Sequence, residues 1–312
     1  MLRYLLSQSA SLLITMLLVI AMVFFGMRLL PGDPAQIRAG LDATPQQVES
    51  TRRALGLDRP LAGQFVSYLG GLLQGDLGSS WRQNQPVTMI IASRLPVTLL
   101  LAGCAYLLSL LLGFGLGILA GSLPGSGWDR LVRGYTTVGL SFPEFWIAFL
   151  LILVFSVNLG WFPLLGYPAD APLPTRLMHL ALPALTLALP RSAQLARLTR
   201  ALLIGERTAD YVRTARSKGL SVLAVTRHIT VNTLPGTFPL AALELGGLLT
   251  GVIIAEQVFS LPGLGQLLLG AIGARDYAIV QGITLLAILV FTAVNWLADL
   301  AQAAADPRIR YS

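Results

Sequence analysis

Three ionisable residues, Glu144, Arg191 and Glu244, stand inside otherwise apolar stretches of this 312-residue chain. A charge at bilayer depth costs on the order of 3 kcal/mol on insertion scales, so such groups face a cavity, a partner or one another. Two roles fit these residue types. They can line a polar path through the membrane, with Phe142 and Trp146 beside Glu144, or Arg191 can form a fixed pair with one carboxylate. Lone aromatics such as Phe142, Phe145 and Trp146 read more readily as packing than as a gate. Counted at 1.5 Å per residue from Leu177, Arg191 lies about 21 Å into the membrane, past the midplane.

Signals for bond-making chemistry are sparse. The only lysine, Lys218, is followed by Gly219, so the Gly-Lys-Ser/Thr of a phosphate-binding loop is missing and the chain has no nucleotide-hydrolysing loop of its own. His179 and His228 are 49 positions apart, too far for a His-Glu-x-x-His pair, and no Gly-x-Ser-x-Gly elbow occurs. Cys104 is the single cysteine and sits in an apolar run, which rules out a disulfide framework and a cysteine-based metal site. No catalytic residue, no metal site and no cofactor bound by this chain are expected.

A second cluster, Asp210-Tyr-Val-Arg-Thr-Ala-Arg-Ser-Lys-Gly-Leu-Ser221, lies between two long apolar runs. Thr208 or Asp210 can cap a short helix there, Arg213, Arg216 and Lys218 load its C-terminal half, and Gly219 can take the left-handed turn that stops it. Ser221 then caps a second helix running through His228. A membrane protein that exposes a small structured knob is offering it to a partner.

The elements around these residues follow from composition. With 54% hydrophobic and 12% charged residues and a mean hydropathy of +0.70, the chain lies far from the soluble norm of about 25% charged. It reads as an all-helical integral membrane protein with six spans. Residues 1–30 form the first, with no small-residue cleavage site after the apolar core, so an uncleaved span is favoured over a signal peptide. Residues 31–94 form an extracytoplasmic segment, with a capped helix start at Thr44-Pro-Gln-Gln-Val-Glu49 and an amphipathic helix over Leu61 to Leu73. Residues 95–304 hold five more spans, starting near Leu95, Gly134, Leu177, Val231 and Tyr277, with the knob in the loop 205–229, and 305–312 form a tail. Gly113, Gly117 and Gly121 recur every four residues, either as a face for close helix packing or as the ordinary glycine of membrane helices.

Positive charge sets the orientation. Arg3, Arg130, Arg133, Arg197, Arg200, Arg207, Arg213, Arg216, Lys218, Arg227, Arg308 and Arg310 fall on one side, whereas the short loops opposite hold only Arg176 and Arg275. Both termini are therefore expected in the cytoplasm. The positive surplus belongs to topology and not to nucleic acid: a DNA-binding helix-turn-helix at 210–229 would run straight into the next apolar span.

Many ordered motifs carry a family resemblance: L-P-G-D-P at 30–34, L-G-L-D-R-P-L at 55–61, G-D-L-G-S-S at 75–80, R-L-P-V-T-L at 94–99, S-F-P-E-F-W at 141–146, D-Y-V-R-T-A-R-S-K-G-L-S at 210–221, V-F-S-L-P-G-L-G at 258–265, R-D-Y at 275–277 and D-P-R-I-R-Y at 306–311. Along its whole length the chain resembles the permease subunits of peptide/nickel-type ATP-binding-cassette importers, the dipeptide and oligopeptide permease B family. The resemblance implies a type I importer permease. Its knob would be the coupling helix that docks in an ATPase groove, with Arg213, Thr214 and Ala215 at the family's Glu-Ala-Ala positions, Gly219 as the loop glycine, and Asn232 and Pro235 closing the motif. Arg191 matches no family pattern.

The partners implied are a second homologous permease, two ATP-binding subunits that hold ATP and magnesium, an extracytoplasmic substrate-binding protein and membrane lipid, with no nucleic acid. The location implied is a bacterial inner membrane, and the activity is uptake of di- or oligopeptides by alternating access. A nickel or metal-chelate substrate is the alternative, and a self-sufficient secondary transporter would have only Glu144 and Glu244 as coupling groups.

Overall fold

A computed structural model describes residues 2–29, 33–40 and 42–305; Leu30, Pro31 and Gly32 of the first motif and the tail from 306 onward lie outside them. Among the described residues the chain is helical and has no strand, only an isolated bridge between Ser79 and Pro86. The chain divides into two compact units. One holds the residues up to Pro96 together with Gly263–Thr292, and the other holds Val97–Pro262 and continues from Ala293.

In the first unit, α1 (Leu2–Leu29) ends where the Arg28 guanidinium lies 3.5 Å over the Phe24 ring and donates to the Phe24 carbonyl and to Gln64 Oε1. Phe24 also meets Phe65 and Tyr68 of α4 (Leu61–Leu73), so an aromatic cluster seats the amphipathic helix. Between them, α2 (Pro34–Ala39) and α3 (Pro45–Ala54) are joined by a 2.6 Å ion pair of Asp33 with Arg52, and α3 starts with the Thr44–Gln47 capping box that its sequence announces. The unit's core is Met27, Val87, Ile90, Ile91 and residues of the later helices, among them Ile279 and Ile283.

The second unit carries most of α5 (Val87–Ser122), then α6 (Gly127–Ser141), α7 (Glu144–Leu151) continued by a π-helix over Ile152–Asn158, and α8 (Leu173–Glu206). After α9 (Asp210–Ser217) and α10 (Val222–Thr233), a 3-10 turn over Leu234–Thr237 leads into α11 (Phe238–Val258). Its core centres on Leu101, Leu180, Leu187, Leu248 and Leu261. The glycines of α5 do face a partner helix: a Cβ on Gly117 would come within 2.6 Å of Thr199 and 2.9 Å of the Ala196 carbonyl, so α5 and α8 approach backbone to backbone. The chain closes with α12 (Leu264–Ala274) and α13 (Tyr277–Ala305).

Several boundaries depart from the sequence reading. The second span begins eight residues before Leu95, because Pro96 is carried inside α5 without ending it, and α8 likewise starts at Leu173 and carries Pro183 and Pro190. The third span is not one rod: α6 and α7 meet at Phe142-Pro143 with a bend of 111°. Pro143 forces an extended residue before it, and the glycine and serine that precede the break give little resistance. An unforeseen helix, α12, follows the turn at 260–263; its 11 residues are too short to have read as a span. By length and apolarity two helices qualify as membrane spans among the described residues, or up to four if each bent pair counts as one.

Candidate functional site

The knob is built from local chemistry. Ala209 is the N-cap of α9 and gives no side-chain hydrogen bond, so neither Thr208 nor Asp210 caps it; Thr208 Oγ1 instead donates to the Gly205 carbonyl and Asp210 opens the helix as its first residue. The other end follows expectation. Gly219 has φ +75°, its N–H donates to the Arg216 carbonyl, and the Leu220 N–H donates to that of Ala215, a pair of bonds that locks a left-handed glycine stop. Ser221 accepts from Ala224 N and caps α10.

One apolar anchor seats this unit. Val212, 1% exposed, packs with Leu203, Val225 and Ile229, and Ala215 and Ala209 border the cluster. Asp210, Tyr211, Arg213, Thr214 and Lys218 are left exposed on the other side of α9. The Arg213–Asp210 contact is 3.9 Å long and fully in solvent, so it does little to hold the helix. Tyr211 donates to Glu206 Oε2; its hydroxyl is raised above the usual pKa first by burial, with Asn232 pulling it down and Glu206 pushing it up. Asn232, next to last in α10, is exposed, and Pro235 sits in the 3-10 turn that follows. The knob is therefore fixed to α8 and α10 while presenting three cations, Arg213, Arg216 and Lys218.

The three charges, a buried arginine and two partly buried carboxylates, converge within the second unit. Arg191 of α8 donates from Nη1 to Glu144 Oε1 at 2.7 Å and to the Leu187 carbonyl at 2.8 Å, and from Nη2 to the Gly247 carbonyl at 3.0 Å. Glu244 of α11 lies 3.8 Å from its Nε. The guanidinium is 7% exposed and draws three helices together through one planar fork. Phe142 and Trp146 stack at 6.0 Å beside Glu144 and are more than two-fifths exposed, so they are not core packing within this chain.

Sequence reasoning missed the glycine beside this cluster and several polar contacts elsewhere in the second unit. Gly251 stands where a Cβ would fall 2.5 Å from Glu144 Oε2 and 2.9 Å from Arg191 Nη2, so the charge pair fits only against a glycine. Asp129, in the expected basic turn, is 1% exposed and takes a bidentate bond from Arg200 at 2.6 and 3.0 Å, with the Gly125 N–H as a further donor. Arg207 donates to the carbonyls of Gly121 and Ser122, the orphan acceptors at the end of α5. These arginines counted only as a charge surplus in the sequence; the spacing of 71 residues between Asp129 and Arg200 gave no local signal. Glu256, fully buried, accepts from Thr98 Oγ1 at 2.6 Å. No group of three or more metal-ligating side chains occurs among the described residues.

Comparison with known proteins is consistent along the chain. Residues 113–311 match the family described as binding-protein-dependent transport system inner membrane component, and residues 1–102 match its N-terminal family. A Brucella abortus (strain 2308) protein, named provisionally as a peptide transport system permease, is 44% identical over 299 residues, covering 95% of each chain. The glutathione transport system permease protein GsiC of Pectobacterium atrosepticum is 41% identical over 313 residues, covering 100% of each. Among solved structures, an inward-facing form of the MetNI methionine ABC transporter gives a TM-score of 0.57 at 17% identity over 70% of this chain and 97% of that one, a likeness of fold.

Proposed function

The chain belongs to the family of binding-protein-dependent transport system inner membrane components, and from that premise we propose that it is the multi-pass permease through which an ATP-binding-cassette importer takes up di- and oligopeptides. Relatives of matching length are named for peptide and glutathione transport, which supports a peptide-like cargo. The observation that carries the coupling role is α9, a short basic helix stopped at Gly219, anchored on one face by Val212 with Ala215 beside it and exposed on the other.

On this reading α9 docks in an ATP-binding subunit, a second homologous permease brings a second such helix, and each ATPase holds its own ATP and magnesium. Closing of the ATPase pair draws the two docked helices together, and the interlocked α8, α9 and α10 carry that motion into the bundle as a rigid-body rotation. An extracytoplasmic binding protein delivers the cargo to the outer segment. The spans are α1, α5, the bent α6–α7 pair, α8, α10–α11 and α13, with both termini in the cytoplasm. Glu144, Arg191 and Glu244, with Phe142 and Trp146, lie along the translocation path.

Cysteine labelling tests the topology: a reporter at Gln64 is expected to react from outside and one at Arg216 only from inside, and both on one side would overturn the six-span arrangement. Uptake of a labelled dipeptide by cells expressing the chain with its partner subunits tests the cargo. Accumulation of nickel without peptide would overturn the peptide assignment, and transport by purified chain without ATPase would overturn the importer reading.

A further inference from the structure

Helix α6 is pinned to α8 along its whole length. At its start Asp129 takes the two-pronged bond from Arg200, at 2.6 and 3.0 Å. Midway, Tyr135 Oη donates to the Leu189 carbonyl at 2.9 Å, and a Cβ on Gly139 would fall 3.0 Å from that of Ala193. Past the break at Pro143, Glu144 accepts from Arg191 Nη1. The start of α6 thus meets the later part of α8 and its end meets the earlier part, so the two helices run antiparallel.

Arg200 does not act by itself. It and Arg207 stand about two turns apart on α8. Arg207 Nη1 holds the Gly121 and Ser122 carbonyls at the end of α5, at 3.0 Å each, while Arg200 holds Asp129 at the start of α6, so α8 grips the α5–α6 turn from both sides. Asp129 also shapes that turn: its Oδ2 accepts from the Gly125 N–H at 2.9 Å, and its own N–H donates to the Ser126 cap. Its carboxylate is 1% exposed, and Arg133 approaches no closer than 3.8 Å.

The same stretch of α8 seats the knob. Leu203, between the two arginines, packs with Val212 of α9 and with Val225 and Ile229 of α10. On its other flank a Cβ on Gly121 would lie 2.8 Å from the Leu203 Cβ. A displacement of α9 therefore reaches α8 at Leu203, between the two grips on the α5–α6 turn. Apolar contacts allow sliding, whereas a planar fork on a carboxylate fixes direction as well as distance. From Asp129 the helix leads to the break that carries Phe142, Glu144 and Trp146.

We propose that Asp129 and Arg200 are the positioning residues that pass the motion of α9 into α6, so that the segment from Phe142 to Trp146 moves together with the knob. This rests on the importer reading above. It adds α6 to the moving body and names the contact that holds it there.

The test uses the chain assembled with its partner subunits in proteoliposomes and reads dipeptide uptake per ATP hydrolysed. Arg200→Lys keeps a positive charge beside Asp129 and loses the fork. ATP hydrolysis should stay near that of the parent while uptake per ATP falls about fivefold or more, the low end of coupling between distant sites. Spin labels at Trp128→Cys and Leu223→Cys, both at exposed positions, in a Cys104→Ser background give a second readout that stability alone does not move. The parent should show one narrow distance with and without ATP, and Arg200→Lys should broaden or shift it when ATP is added. Asp129→Asn, which keeps an acceptor for Gly125, is the second variant and should behave likewise. A lower yield with unchanged uptake per ATP, one narrow distance in the variants, or failure of both variants to assemble would make the clasp a folding element only and overturn the proposal. The parent separates the two readings. Parent uptake driven by ATP, matched by both variants, overturns the clasp and leaves the importer standing, whereas ATP hydrolysis without any uptake by the parent overturns the importer reading itself.

Discussion

The knob and the buried charge cluster are built on opposite plans. All of α9, its glycine stop and the cap of α10 come from the twelve residues Asp210 to Ser221, and the knob's polar groups stay in water. The cluster takes Glu144, Arg191 and Glu244 from three helices at positions 47 and 53 residues apart and holds them largely out of water. A local device in water can be altered at small cost to the fold, whereas a long-range device in a dry setting cannot. A coupling element suits the first plan, since it must meet a partner without disturbing the bundle. A junction that keeps three helices in register suits the second.

The sharpest way to break that contrast is Arg191→Gln. It strands two carboxylates, and truncating one member of a buried pair costs about 3–5 kcal/mol. The yield of folded chain in detergent, read by size exclusion, should collapse, and adding Glu144→Gln should restore part of it. Equal yields for parent and single variant would mean that the cluster is solvated and that the two regions do not differ in kind.

Next in size is Gly251→Val, which pushes a branched side chain between Glu144 and Arg191 and should cost about 1–3 kcal/mol by overpacking. The melting temperature is expected to drop, and dropping it no further in the Arg191→Gln, Glu144→Gln background would tie the loss to the pair.

At the knob, Gly219→Val forces a branched residue into the left-handed region at about 1–2 kcal/mol, confined to the turn. Folded yield should stay near that of the parent while peptide uptake falls and ATP hydrolysis by the assembled importer proceeds without it. Normal uptake by this variant would sink the coupling assignment. The smallest effect belongs to Ser221→Ala, which removes one cap at about 1 kcal/mol. Amide exchange should quicken in the first turn of α10 and nowhere in α8, a pattern that sharpens the claim that the knob's structure is local.

Legibility in the sequence followed the same division. The helix, the glycine stop and the Ser221 cap could be read because each rests on neighbours a few residues away. The N-cap could not: Thr208 and Asp210 are both good capping residues, and the chain's path out of α8 chose Ala209 between them. The presence of a charge junction was legible, since three ionisable residues in apolar runs need partners, but its wiring was not. Asp129 and Arg200 show the limit plainly. Each looked like part of a basic inner belt, and their bidentate bond depends on where α6 and α8 cross.

Composition and periodicity by themselves determined that this is a helical membrane protein, and its ordered motifs determined the family. Local spacing determined the knob. Tertiary structure decided the 111° break between α6 and α7, the choice of Glu144 as the close partner of Arg191, and the need for glycine at 251. The reason is the range of the forces involved. Hydrogen bonds at helix ends and the hydrophobic preference of a span act over a few residues or over an average, and both survive in a one-dimensional reading. A salt bridge, a missing Cβ or a bend acts at a point where distant segments meet, and that point exists only once the chain has packed.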